Sequence, residues 1–217
     1  MIAVAERPVL RTIALRAVAV GRPALLGTDR NGEVWSGIRK QIVDGGEIVV
    51  GRTNLAGDGQ ADLRAHGGPD KAVYCYPADH LAWWASEHEY TGVVGQAPFG
   101  ENLSTIGIVE AEACIGDIWR WGDALVQISQ PRWPCFKLAM MSGRVDMVKR
   151  FVDSGRSGWY LRVLEEGVAP VAGPIELVAR DGHGVTVSLA FAARADAGHP
   201  DRTRVFAHPA LAEAWRR

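Results

Sequence analysis

The sequence predicts a mainly β protein with some helix: a β-barrel or closed sheet with flanking helices and a short helical group at its C-terminal end. Three observations predict it. Short alternating apolar runs recur between turn signals along most of the chain. Few helical stretches separate these runs, which argues against alternating βαβ units. After Pro174 the composition shifts toward alanine and other helix formers. At 217 residues the chain suits one good-sized core, or one core with a small appendage.

From Leu10 to Val20, the residues Ile13, Leu15, Ala17 and Ala19 alternate with Thr12, Ala14, Arg16 and Val18, giving a half-buried strand ended by Gly21-Arg22-Pro23. GEVWSGI, EIVVGRT and KAVYCY read as further short strands. PADHLAWWASEHE reads as a helix, with proline suited to its first turn, Asp79 early and apolar Leu81, Trp84 and Ala85. IWRWGDALVQIS gives the clearest hairpin, Ile118–Trp121 and Ala124–Ser129 about a Gly-Asp turn. LAMMSGRVDMVKRFVDSGRSGWYLRVLEEG reads as helix, a break at Ser154–Gly158, then strand or helix. A last strand near Ile175–Ala179 precedes short helices from Val185 to Arg217, with turns at Gly198-His199-Pro200 and His208-Pro209.

Hydrophobic residues make up 47% of the chain, charged residues 23%, and the formal charge is -1, so nothing points to nucleic acid or an anionic membrane as partner. Glu6, Arg7, Arg11 and Arg16 interrupt the N-terminal apolar residues before a signal-peptide core forms. Cys75, Cys114 and Cys135 are an odd, widely spaced set without a CxxC, read as unbridged thiols in a reducing cytoplasm.

Three stretches offer chemistry. In SQPRWPCFKL, Pro131 and Pro134 deny the segment regular ladder bonds and make it a loop leaving a strand. Its Cys135 reads either as a buried small hydrophobe or as a thiolate favoured by Arg132 and Lys137, able to bind a soft metal or attack an electrophile. GDGQADLRAHGGPDKAVYCYP sets Asp58, Asp62, His66, Asp70 and Lys71 among glycines. There Gly67-Gly68 forms either a plain β-turn or an anion cradle with Lys71 as counter-charge. In PFGENLSTIG, Glu101, Asn102 and Ser104 suit either a helix or turn cap or, for Asn102, the edge of a heterocycle. No Walker or dinucleotide spacing is present, nor a Ser-His-Asp order or nucleophile elbow, and His66 and His80 do not make a metal site together.

GDGQADLRAHGGPDKAVYCYP, FGENLSTIG and IGDIWRWGDALVQISQPRWPCFKL, in that order between Thr53 and Leu138, together resemble the MOSC domain, named for the C-terminal domain of molybdenum cofactor sulfurase, and within it the stand-alone bacterial YiiM-type branch. The ending LAEAWRR resembles the close of the short three-helix region that follows the domain in that branch. The resemblance implies a MOSC-type β-barrel over residues 1–180 and a short three-helix-like region over 181–217. It implies a molybdopterin-type molybdenum cofactor held through the Cys135 thiolate, with Arg132 and Lys71 meeting its phosphate and pterin. His66, Gly67, Gly68, Glu101 and Asn102 complete the pocket. The implied activity is reduction of N-hydroxylated compounds, including hydroxylaminopurine-type base analogues, in the cytoplasm. The chain has no flavin, haem or iron–sulfur motif, so electrons would come from an external redox protein. A homodimer is a further implication. The competing reading is a sulfur carrier holding a persulfide on Cys135 without redox catalysis.

Overall fold

The computed structural model describes residues 8–62, 67–93 and 95–216. The chain opens with strand β1 (Arg11–Val20), a hairpin of β2 (Ala24–Asp29) and β3 (Gly32–Ser36), the short β4 (Gln41–Ile42) and β5 (Glu47–Val50). Strand β6 (Val73–Pro77) leads into helix α1 (Leu81–His88). Then come β7 (Leu103–Ile106), β8 (Ile118–Trp121), β9 (Ala124–Pro131), α2 (Phe136–Ser142) and α3 (Met147–Ser154). Strands β10 (Trp159–Glu165), β11 (Gly167–Pro170) and β12 (Gly173–Ala179) precede the tail helices α4 (Val187–Ala195) and α5 (Arg202–Phe206).

Among the described residues, seven strands close into a barrel in the order β1-β12-β8-β9-β10-β6-β7 and back to β1. Every neighbouring pair is antiparallel except β6 with β7. Closure leaves the barrel no open edge. The β2–β3 hairpin and a β5–β11 ladder stand outside it.

The expected hairpin forms, with its second strand running on to Pro131. In β1 the alternation holds for Ile13 and Leu15, which are buried, but Val18 is also fully buried where strict alternation would turn it outward. The pairing with β7 shifts register between Leu15 and Ala17, and this bulge moves the next inward side chain onto an even number. A second difference lies after Leu138. Gly143, at φ +68, ends α2 with its N–H bonded to Ala139 O, so the helical stretch becomes two helices.

Strand β6 is buried on both faces. Val73 and Cys75 join the barrel core with Trp121, Val126, Ile128, Trp159 and Leu161. Tyr74 and Tyr76 face outward into a second cluster with Trp84, Phe99, Leu138 and Phe151, under the helices. There the Trp84 indole donates to the Tyr76 hydroxyl at 2.6 Å, satisfying both buried polar ends. Tail residues Ala190, Phe191, Val205 and Trp215 pack into the barrel cluster, and Thr186 Oγ1 caps α4 by accepting from Leu189 N–H at 3.1 Å. No helix among the described residues is long and apolar enough to cross a membrane.

The turn into β10 depends on Gly158 (φ +60), where a Cβ would stand 2.3 Å from Cys75 O. Its N–H donates to Glu110 Oε1 at 2.7 Å. Gly158→Ala is therefore expected to cost about 2 kcal/mol or more of stability. Gly143→Ala, at a positive φ with open space around it, should cost only about 1 kcal/mol. Urea midpoints of the two variants, measured side by side, check the order.

Candidate functional site

Pro131 is the last residue of β9 and pairs with Trp159 of β10. Lacking an N–H, it ends regular laddering and releases the loop that carries Arg132 to Cys135. Cys135 itself is extended (φ −130, ψ 171) and precedes α2, its carbonyl accepting from Leu138 N–H at 2.9 Å. The three cysteines are not joined in disulfides, and Cys135 is the one that is only partly buried.

Cys135 lies in the wall of a cleft shared with Arg132, Lys71 and Asn102. The sequence-expected residues of three separate motifs thus meet at one place. The remaining wall comes from the segment after β3 (Gly37, Ile38, Lys40), the loop at Asp58 and Gly59, and the rings of Tyr74, Trp133 and Tyr160. Of the other expected residues, Glu101 is buried beside the cleft without lining it. Gly67 and Gly68 also do not line it. Gly68, at φ +97, opens the turn Pro69–Lys71, accepting from Lys71 N–H at 3.0 Å, and so places the lysine. His66 lies outside the described residues.

Arg132 is only 5% exposed. Its guanidinium sits 4.8 Å from the Tyr74 ring centre and 5.3 Å from that of Phe151, and Nη1 donates to the Tyr74 hydroxyl at 3.4 Å. The Tyr74 hydroxyl itself donates to Ser157 O at 2.9 Å. A buried guanidinium balanced by rings and hydroxyls still lacks a full counter-charge.

Lys40, 6% exposed, forms an ion pair with Asp58. Asp58 also accepts from Gly21 N–H at 2.8 Å and from Asn102 Nδ2 at 2.8 Å. Asn102 donates as well to Ala19 O (3.1 Å) and accepts from Tyr74 N–H (3.0 Å), so its amide is largely committed to joining β1, β6 and the Asp58 loop. Burial lowers the Lys40 pKa from its ordinary value, against the pull of Asp58. Burial also lowers that of Lys71, helped by Arg194 and opposed by Asp70. Lys137, expected beside the sulfur, lines the cleft while its ammonium donates to Trp35 O at 3.0 Å, joining α2 to the β2–β3 hairpin.

Of the three residues read as cap candidates, Glu101 makes a local turn, its Oε2 accepting from Phe99 N–H at 2.9 Å. Ser104 lies within β7 with its hydroxyl buried. Sequence reasoning missed Lys40, Tyr74 and Tyr160. SGIRK carries no motif, Tyr74 reads as a strand residue, and Tyr160 falls in a stretch read as strand or helix. Trp133 was seen only as part of the loop. It packs on Phe191 and Trp215 of the tail, with ring centres 5.1 and 6.1 Å away, and Arg194 stands over it at 5.4 Å.

A second cluster, Asp181, His183 and His208, has ligand atoms within 4.8 Å of one another. His208 Nδ1 accepts from Ala210 N–H at 3.2 Å, so in the neutral ring the proton sits on Nε2, which donates to Asp181 Oδ1 at 3.0 Å. That tautomer leaves His208 no lone pair for a metal, and the cluster serves to pin the tail to the end of β12.

Burial pushes the Glu101 pKa up to about 7 from 4.5, against the opposing backbone N–H groups of Glu101 and Phe99 and the charges of Arg132 and Arg16. The native state therefore holds this proton more tightly than the unfolded chain does. Glu101 makes stability fall as pH rises through the window from 4.5 to about 7. Glu101→Gln is expected to flatten that slope and to exceed the wild type above the window by up to about 3 kcal/mol. Urea unfolding at either end of the window measures it.

The MOSC domain family model matches residues 62–177. The uncharacterized protein YflK of Bacillus subtilis is 40% identical over 91% of this chain and 88% of its own length. A protein named reductase from Gibberella moniliformis is 38% identical over 63% of this chain, which spans 24% of that longer protein. The crystal structure of YiiM from Geobacillus stearothermophilus superposes with a TM-score of 0.73 at 32% identity, covering 94% of this chain and 95% of the other. With its closed barrel, its cysteine loop at a cationic cleft and these likenesses, the chain belongs to the MOSC domain family, on its YiiM-type branch.

Proposed function

We propose that this protein is a molybdenum-cofactor-dependent reductase of N-hydroxylated compounds, with the cofactor held through Cys135. The observation that carries the reading is the placement of a thiol in the wall of a cleft whose buried cations outnumber its carboxylates. Thiolate is a soft ligand suited to a polarisable metal. Arg132, buried without an ion-pair partner among the described residues, is the kind of group that an anionic ligand completes. Lys71 and Lys137 add positive charge at the same cleft. The donor set therefore fits an anionic metal–pterin group.

In this reading Cys135 holds the metal and Lys71 and Arg132 meet the anionic part of the pterin. Tyr74 keeps the guanidinium oriented, since Arg132 donates to its hydroxyl and lies over its ring. Trp133, propped by the tail, walls off water on one side. When bound, the cofactor would supply the two-electron redox chemistry that no side chain here provides. The electrons would come from an external redox protein. The relative named reductase supports a redox role in general terms.

The test is elemental analysis of wild type beside Cys135→Ser, both purified from a host that makes the molybdenum cofactor. Near-stoichiometric molybdenum in the wild type and at least a tenfold loss in the variant are expected, with hydroxylamine reduction lost in parallel. If neither protein holds molybdenum while Cys135 carries cyanide-labile sulfur, the reading fails in favour of a sulfur carrier.

A further inference from the structure

Lys40 has no place in the reading above, yet it is a buried cation of the cleft. Its backbone is fixed on both sides, with Lys40 N–H on Ile38 O at 3.1 Å and Lys40 O accepting from Ala97 N–H at 3.2 Å. Its ammonium has three protons to donate. Among the described residues Asp58 is its one hydrogen-bond acceptor. Asp58 also accepts from Gly21 and Asn102, which fix its carboxylate so that it holds the ammonium in place. A donor that is 6% exposed and lines the cleft has its remaining acceptors in whatever occupies that cleft.

Resting on the reductase reading, we infer that Lys40 is the proton donor to the departing oxygen of the N-hydroxylated substrate. Reduction of R–NH–OH takes two electrons from the external redox protein and two protons. The N–O bond breaks, the oxygen leaves as water and the nitrogen gains an N–H. Hydroxide is a poor leaving group, so one proton must reach the oxygen as the bond breaks. Lys40 gives that proton, the second comes from solvent onto nitrogen, and solvent restores the ammonium afterwards.

The other groups at the cleft suit this task less well. A guanidinium does not give up its proton, which removes Arg132. Burial holds the Tyr74 and Tyr160 hydroxyls above their ordinary range, against the opposing charge of Arg132. Lys137 is engaged with Trp35 O, and Lys71 stands less buried beside Asp70 and Arg194. Burial together with Arg132 makes the Lys40 ammonium a better acid than an exposed one, while Asp58 and Glu101 pull the other way.

The experiment compares wild type, Lys40→Arg and Lys40→Met, each purified with cofactor. It measures molybdenum per chain, the urea midpoint and the rate of hydroxylamine reduction against pH with a chemical reductant. Lys40→Arg keeps the charge and the Asp58 pair, so it is the variant expected to fold if Lys40→Met does not. The expected result is wild-type molybdenum in the arginine variant, a rate at least 100-fold lower across the range, and an alkaline fall in the wild type that the variant lacks. Near-wild-type rate in Lys40→Arg overturns the proposal, since charge alone would then suffice. Loss of molybdenum in that folded variant also overturns it, in favour of a cofactor-holding role. A wild type that holds molybdenum but reduces no hydroxylamine overturns the reductase reading and the proton donor with it. An active wild type with an unaffected variant sinks only the role of Lys40.

Discussion

The carboxamide of Asn102 bonds to Tyr74 N–H, Ala19 O and Asp58 in a buried setting, while its backbone bonds to both Tyr74 and Ala19. Three segments distant in sequence are held by this one side chain, at the parallel junction of β6 and β7 and beside β1. Parallel neighbours require a long connection, and here that connection contains α1 and returns through Phe99 and Glu101. The cleft stands on this junction. Asp58 is oriented by Asn102 and orients Lys40, and Tyr74 carries Arg132 on its outward ring. Aspartate at position 102 would put a second carboxylate against Asp58 and remove the donors to both Asp58 and Ala19.

Electrostatics give the cleft its character. Four cationic side chains line it, two of them buried, and Asp58 is the only carboxylate among the lining residues described. Glu101 stands behind them and is half protonated near neutrality. Folding therefore leaves positive charge in a low-dielectric place, a cost that an anionic occupant offsets. Such a site trades stability of the empty protein for affinity, and ligand binding should raise the unfolding midpoint by mass action.

The barrel and the cysteine loop were readable in the sequence because local rules govern them. A Gly-Asp turn between alternating strands gives β8 and β9 directly, and two prolines around Arg132-Trp133 break any ladder. Val18 defied its alternation because a bulge is set by the partner strand β7, which lies far along the chain. Gly143 was legible in principle, since glycine after a helical run marks a left-handed cap. Cys135, Arg132, Lys71 and Asn102 were found through their motifs. Lys40 was not, because its meaning comes from a carboxylate eighteen positions later and from burial that no local pattern encodes.

Closure of the barrel joins β1 to β12, and Trp133 is braced by Phe191 and Trp215 near the chain end. A ribosome delivers these partners in order, and the first strand emerges long before the last. Through most of synthesis β1 has only β7 and β4 as ladder partners, and the cysteine loop lacks the aromatic prop beneath its tryptophan. Contacts of such sequence separation also slow folding of the released chain. The wall of the cleft is thus completed only when β12 and the tail helices have joined the barrel.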